Sequence, residues 1–168
     1  MLVQALMSMR RVSNMNSSNI LTRQGHRLLQ VGIGLLLFTS FWGFMFPYLA
    51  SPPLGLSVHK LSSLLAVLLL ALGLTWPKLN LGAKTSRIAF WLLLYSALAI
   101  IAAYVLGAVW GAGNETMPIA AGSARGTALQ ESVIMVVAYS SGPTGIIAFV
   151  LVFWGLRMGW GKEIGNKE

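Results

Sequence analysis

The chain offers two imidazoles, His26 and His59, no cysteine, and only four carboxylates among its 168 residues. Without thiolates, disulfides, cysteine-ligated zinc, iron–sulfur clusters and thiolate-bound haem are excluded together. Metal chemistry would have to rest on imidazole, carboxylate, phenol or thioether. His59 stands in Ser51-Pro-Pro-Leu-Gly-Leu-Ser-Val-His59-Lys60, at the mouth of an apolar run that extends to Trp76. A neutral imidazole is costly in hydrocarbon unless it is hydrogen-bonded or bound to a metal. Two readings of His59 follow. It bonds the carbonyls of the turn around 53–57, or it is an axial ligand to haem iron with its second nitrogen oriented by a carbonyl or by Ser57. His26 lies between Arg23 and Arg27 and reads as an interfacial residue.

The remaining candidates are sparse. Tyr104 falls in the middle of an apolar segment, where its hydroxyl must find an acceptor or line a cavity. Glu115 and Glu131 are expected in or beside a polar loop as solvated carboxylates, although Glu131 could complement the start of a following helix. Neither has a second carboxylate or a histidine beside it in sequence, so paired acid–base catalysis has little support. No glycine-rich phosphate loop or nucleophile elbow is evident.

These residues need elements to hold them, and composition says which kind. The chain is 56% hydrophobic and 10% charged, against about 25% charged residues in soluble domains. Four apolar stretches are each long enough for the roughly 20 residues that cross a bilayer. They are expected at about 27–49, 56–76, 88–110 and 132–156, making an all-α, four-helix transmembrane bundle over 25–157. Pro52-Pro53 is expected to stop a helix, Ser57 to cap the second span, and Pro143 among serines and glycines to kink or unwind the fourth. Residues 1–24 and 158–168 read as a flexible tail and a short charged tail. Ala99, Ala103, Gly107 and Gly111 form a small-residue ridge suited either to packing within the bundle or to a subunit interface.

The formal charge of +8 would suggest nucleic acid in a soluble protein, but here the basic residues flank apolar runs, which points to the lipid bilayer instead. With four spans, ten basic residues fall on the side of the termini and two, Lys60 and Arg125, on the other. Both termini are therefore expected in the cytoplasm and His59 near the outer end of the second span.

Three segments together carry a resemblance: Pro53-Leu-Gly-Leu-Ser-Val-His59, Leu-Gly-Leu-Thr-Trp-Pro77-Lys-Leu-Asn-Leu, and Trp110-Gly-Ala-Gly followed by Met117-Pro-Ile-Ala-Ala-Gly and Gly126-Thr-Ala-Leu-Gln-Glu131. The chain resembles the small membrane isomerases comprising the hydroxylaminobenzene mutases and styrene oxide isomerase. That resemblance implies a multi-pass homotrimer of the bacterial cytoplasmic membrane, binding haem b and acting on a small aromatic substrate. It carries the axial iron ligand onto His59 and an active-site tyrosine onto Tyr104. The epoxide isomerase has an asparagine six residues after the axial histidine, where this chain has Leu65, and Tyr95-Ser-Ala-Leu98 lacks its Trp/Asn character. The resemblance therefore implies rearrangement of an aromatic hydroxylamine to an aminophenol, with epoxide isomerisation or a non-catalytic haem protein as the alternatives.

Overall fold

The computed structural model describes the backbone of residues 2–164 and the side chains of residues 18–157. Four long helices dominate: α1 Leu2–Met45, α2 Pro52–Thr75, α3 Ala83–Trp110 and α5 Ala128–Ile164, with a single turn, α4 Pro118–Ala121, between the last two. Within them Ser18–Tyr48, Pro52–Lys78, Ala83–Trp110 and Ala128–Arg157 are long and apolar enough to cross a membrane. The chain is an integral multi-pass membrane protein with an all-α fold. It is built as two hairpins, α1 with α2 and α3 with α5, joined where α2 packs on α3.

Every span starts earlier than its apolar run. Pro52 and Pro53 occupy the first positions of α2 instead of stopping a helix, because proline's missing N–H costs nothing in a first turn and its φ is already helical. Ser57, expected as a cap, lies inside the helix and donates to the Pro53 carbonyl. α5 is opened by Thr127 and Gln130, whose side chains accept each other's backbone N–H at 3.3 and 2.8 Å, a capping box. α1 is continuous through the expected tail at 1–24, and Leu21 and Gln24 are buried. The side chains of 1–17, and the expected tail at 158–168, fall outside the residues described in full.

Close approach of α1 and α2 requires glycine at one level in particular. A Cβ on Gly25 would lie 2.7 Å from the Gly73 carbonyl oxygen, and one on Gly73 2.9 Å from that of Gly25. The two backbones are thus in contact, the geometry that small residues permit between membrane helices. The ridge on α3 is spent within the bundle, since Ala99, Ala103 and Gly107 are all buried. Helix α5 runs through Pro143 without unwinding. The hydroxyls of Ser140, Ser141 and Thr144 bond nearby carbonyls, and Ser96 of α3 donates to the Ser141 carbonyl at 2.8 Å, so side chains satisfy the backbone around the proline.

Two buried apolar clusters fill the bundle. One gathers Leu28, Leu69, Trp76, Phe90 and Leu93 toward the end that carries the α2–α3 connection. The other gathers Trp42, Leu54, Val58, Ala103, Met117 and Ile134 toward the opposite end. Below the first, Gln24 Oε1 accepts from Trp76 Nε1 at 3.1 Å and from Ser86 Oγ, tying three successive segments together. We predict that Gln24→Leu leaves both donors unpaired and lowers stability by about 1–3 kcal/mol for each, read as a fall in the melting temperature of the detergent-purified protein.

Candidate functional site

His59 lies on the third turn of α2, half-buried against α1. Its Nδ1 is 3.1 Å from the carbonyl oxygen of Thr39. A carbonyl can only accept, so Nδ1 carries a proton and, in the neutral ring, Nε2 keeps its lone pair. The orienting carbonyl comes from the first helix; it is neither the 53–57 turn nor Ser57. Thr39 is four residues before Gly43, whose missing side chain leaves the carbonyl open from the side: a Cβ there would come 3.3 Å from the imidazole Cε1. Phe46 flanks the ring with centroids 6.3 Å apart. Beneath it the Thr39 and Ser62 hydroxyls bond each other, and Ser62 and Ser63 also donate to carbonyls of their own helix.

This arrangement fits an axial ligand. A hydrogen bond to one ring nitrogen fixes tautomer and orientation and raises the basicity of the other, as in most metal-bound histidines. Among the described residues no group of three or more His, Cys, Asp or Glu side chains could hold a metal ion. A group that brings most of its own ligands, as a porphyrin does, suits a single free Nε2.

Tyr104 of α3 is half-buried and packs against the cluster that contains Trp42, Leu54 and Val58. Phe46, which flanks His59, packs against the same cluster, and no hydrogen bond links His59 to Tyr104. The sequence-based expectation for Leu65 changes. It packs with the other cluster, beside Leu69, and a spacing of six residues sets its side chain about 120° around the helix from that of His59. His26 is exposed beside Arg23 and Arg27, apart from both.

Glu131 is the residue whose role sequence reasoning missed. It is buried, not solvated. Its Oε1 accepts from the N–H of Gly113 at 2.8 Å and of Gly126 at 3.0 Å, and its Oε2 from that of Glu115 at 3.3 Å. One carboxylate in the first turn of α5 thus gathers both limbs of the loop after α3, where Gly111 and Gly113 take positive φ. The signal available was Thr127-x-x-Gln130, which places Glu131 inside a helix rather than in a loop. Glu115 remains exposed.

Fold and site together define a small multi-pass membrane protein with one oriented imidazole. The profile of the family described as styrene oxide isomerase matches residues 24–157, which takes in the first span from residue 24 and the other three whole. The chain belongs to this family and is an isomerase. It is 44% identical over 131 residues to hydroxylaminobenzene mutase HabB of Ectopseudomonas oleovorans, covering 78% of this chain and 80% of the relative. It is 33% identical over 129 residues to hydroxylaminobenzene mutase HabA of the same organism, covering 77% and 96%. No solved structure matches.

Replacing Glu131 by alanine removes the acceptor that holds the loop. We predict a loss of about 1.5–3 kcal/mol and faster amide hydrogen exchange over 111–127, with Glu131→Gln intermediate because it keeps one acceptor oxygen.

Proposed function

We propose that this chain moves the hydroxyl group of a small aromatic hydroxylamine from nitrogen to the ring, giving an aminophenol, with haem b held by His59. The observation that carries the reading is the 44% identity with a hydroxylaminobenzene mutase across the helical region. The pinned Nδ1 of His59 supports the ligand assignment. We propose further, from the family resemblance, that the working unit is a homotrimer in the cytoplasmic membrane of a bacterium.

The reaction is redox-neutral. The N–O bond breaks, a C–O bond forms on the ring, the ring carbon gives up one proton and the nitrogen gains one. Bound haem supplies a Lewis-acidic iron that draws electron density from the oxygen. The chain's own residues do the rest. Thr39 keeps the proton on Nδ1 of His59 and so keeps Nε2 available; Gly43 makes room for that contact. Tyr104, whose hydroxyl makes no hydrogen bond within the described residues, donates to the migrating oxygen. Trp42, Phe46 and Leu54 supply apolar walls that hold the ring and exclude water. Glu131 is already committed to three backbone N–H groups and is not free for proton transfer.

A second reading, isomerisation of an epoxide to an aldehyde, is favoured by the description of the matching family. The 44% and 33% identities with two hydroxylaminobenzene mutases weigh against it. The test is to supply detergent-purified protein with phenylhydroxylamine and with styrene oxide in parallel. Formation of 2-aminophenol with little phenylacetaldehyde supports the mutase reading, and the reverse overturns it. Purified protein with no Soret band would remove haem from the proposal.

Two variants follow from the geometry. His59→Ala is expected to lose the Soret band and turnover together, while Tyr104→Phe keeps the band and lowers kcat by roughly a hundredfold with little change in KM, the usual effect of removing one well-placed donor. Gly43→Val is expected to displace the imidazole, broadening or weakening the Soret band in a protein that still inserts and folds.

A further inference from the structure

Three arginines on two helices converge at the basic end of the bundle, with no carboxylate beside them among the residues whose side chains are described. Arg23 and Arg27 of α1 and Arg87 of α3 line a groove of about 640 Å³ together with His26, Gln30 and Trp91. All three guanidinium groups belong to exposed residues. Among the residues whose side chains are described, the only carboxylates are Glu115 and Glu131, in the loop after α3 and at the start of α5, at the opposite end of the bundle. Three positive charges around one concavity suit a phosphate or similar anion, since guanidinium groups match phosphate oxygens in pairs.

The groove has an apolar continuation. Trp91 lies on its edge and also on a second cleft, of about 470 Å³, lined by Leu94, Leu98 and Ala102 of α3 and by Val137 of α5. These α3 positions recur at helical spacing on one face, and from Trp91 to Ala102 they span about 16 Å along the axis. That is on the order of the length of an acyl chain within one leaflet, half of a hydrocarbon core about 30 Å thick. An anion site at the membrane surface, opening past an exposed tryptophan into an apolar track of this length, matches a lipid rather than a soluble anion.

We propose that Arg23, Arg27 and Arg87 bind the phosphate headgroup of an anionic phospholipid, one acyl chain of which lies along α3 from Trp91 to Ala102. The site is separate from His59 and independent of the reaction assigned to it.

The test is native mass spectrometry of the full-length protein released from detergent, titrated with phosphatidylglycerol and with phosphatidylcholine of the same chain length. Preferential retention of phosphatidylglycerol is expected, and equal retention overturns the proposal. Removing one basic residue near an anionic lipid surface weakens binding by about fivefold, so Arg87→Gln should lose about that much and Arg23→Gln/Arg27→Gln more. Lys78→Gln and Lys60→Gln, which alter charge outside the groove, should bind as the unaltered protein does. If they lose as much as Arg87→Gln, the attraction is diffuse and the site is refuted. Ala102→Trp should weaken phosphatidylglycerol binding with all charges intact; no change overturns the acyl track. Raised thermal stability with inorganic phosphate equal to that with phosphatidylglycerol would identify a soluble anion instead. All these variants are at exposed positions, and their melting temperatures without added lipid report whether each has folded.

Discussion

Within a bilayer a polar atom can bond only to protein or to a bound ligand, and this constraint organises the whole bundle. The apolar side chains fill space between helices but cannot distinguish one helix pair from another, since lipid tails solvate them as well. Specific pairing is left to the few polar groups. Gln24 joins α1 to Trp76 and to Ser86 of α3. Thr39 joins α1 to α2 through Ser62 and His59. Ser96 and Tyr95 join α3 to α5 through Ser141 and Ser140. Each contact lies at a different depth, so together they fix the sliding register of all four helices.

The same scarcity bears on the chemistry. A chain with so few acids spends the one buried carboxylate among its described residues on architecture, where Glu131 gathers three backbone N–H groups. That leaves the imidazole of His59, and the phenol of Tyr104 against the second apolar cluster, as the polar groups proposed to carry the chemistry. A rearrangement that needs no net proton or electron supply is the kind of reaction such a site can support. Thr39 illustrates how economically it is built: its hydroxyl pairs with Ser62 and its carbonyl orients His59, so one residue sets both the helix contact and the tautomer.

The four spans were legible because an uncharged apolar run of about twenty residues suits a bilayer crossing and little else. Their beginnings were not, and the reason is the same each time. Pro52-Pro53, Lys84 to Arg87, and Thr127 to Gln130 look like loop by composition. Composition does not mark a first helical turn: proline suits that position in α2, the Thr127 and Gln130 side chains satisfy N–H groups that α5 leaves free, and the start of α3 has no side-chain cap at all. His59 and Tyr104 could be singled out from cost alone, as polar groups in hydrocarbon. The partner of His59 could not, because Thr39 is twenty residues away and only the α1–α2 register brings its carbonyl to Nδ1. Gly25 and Gly73 escaped for a similar reason: each is a single glycine on its own helix, and the pairing exists only between helices.

Leu65 shows how position on a helix decides what a substitution can mean. Six residues after a ligand reads as near in sequence, yet it falls on a different face, packed with Leu69 in the other cluster. If Leu65 discriminates between substrates, it does so through a neighbour that approaches that face, not from the His59 side of its own helix. The basic groove is further removed again. Arg23 and Arg27 flank Gly25, which meets Gly73 of α2, fourteen residues beyond His59 and hence about 21 Å along the axis. An anion held there is too far away to touch His59, so headgroup binding at one end of the bundle and the oriented imidazole toward the other are spatially separate.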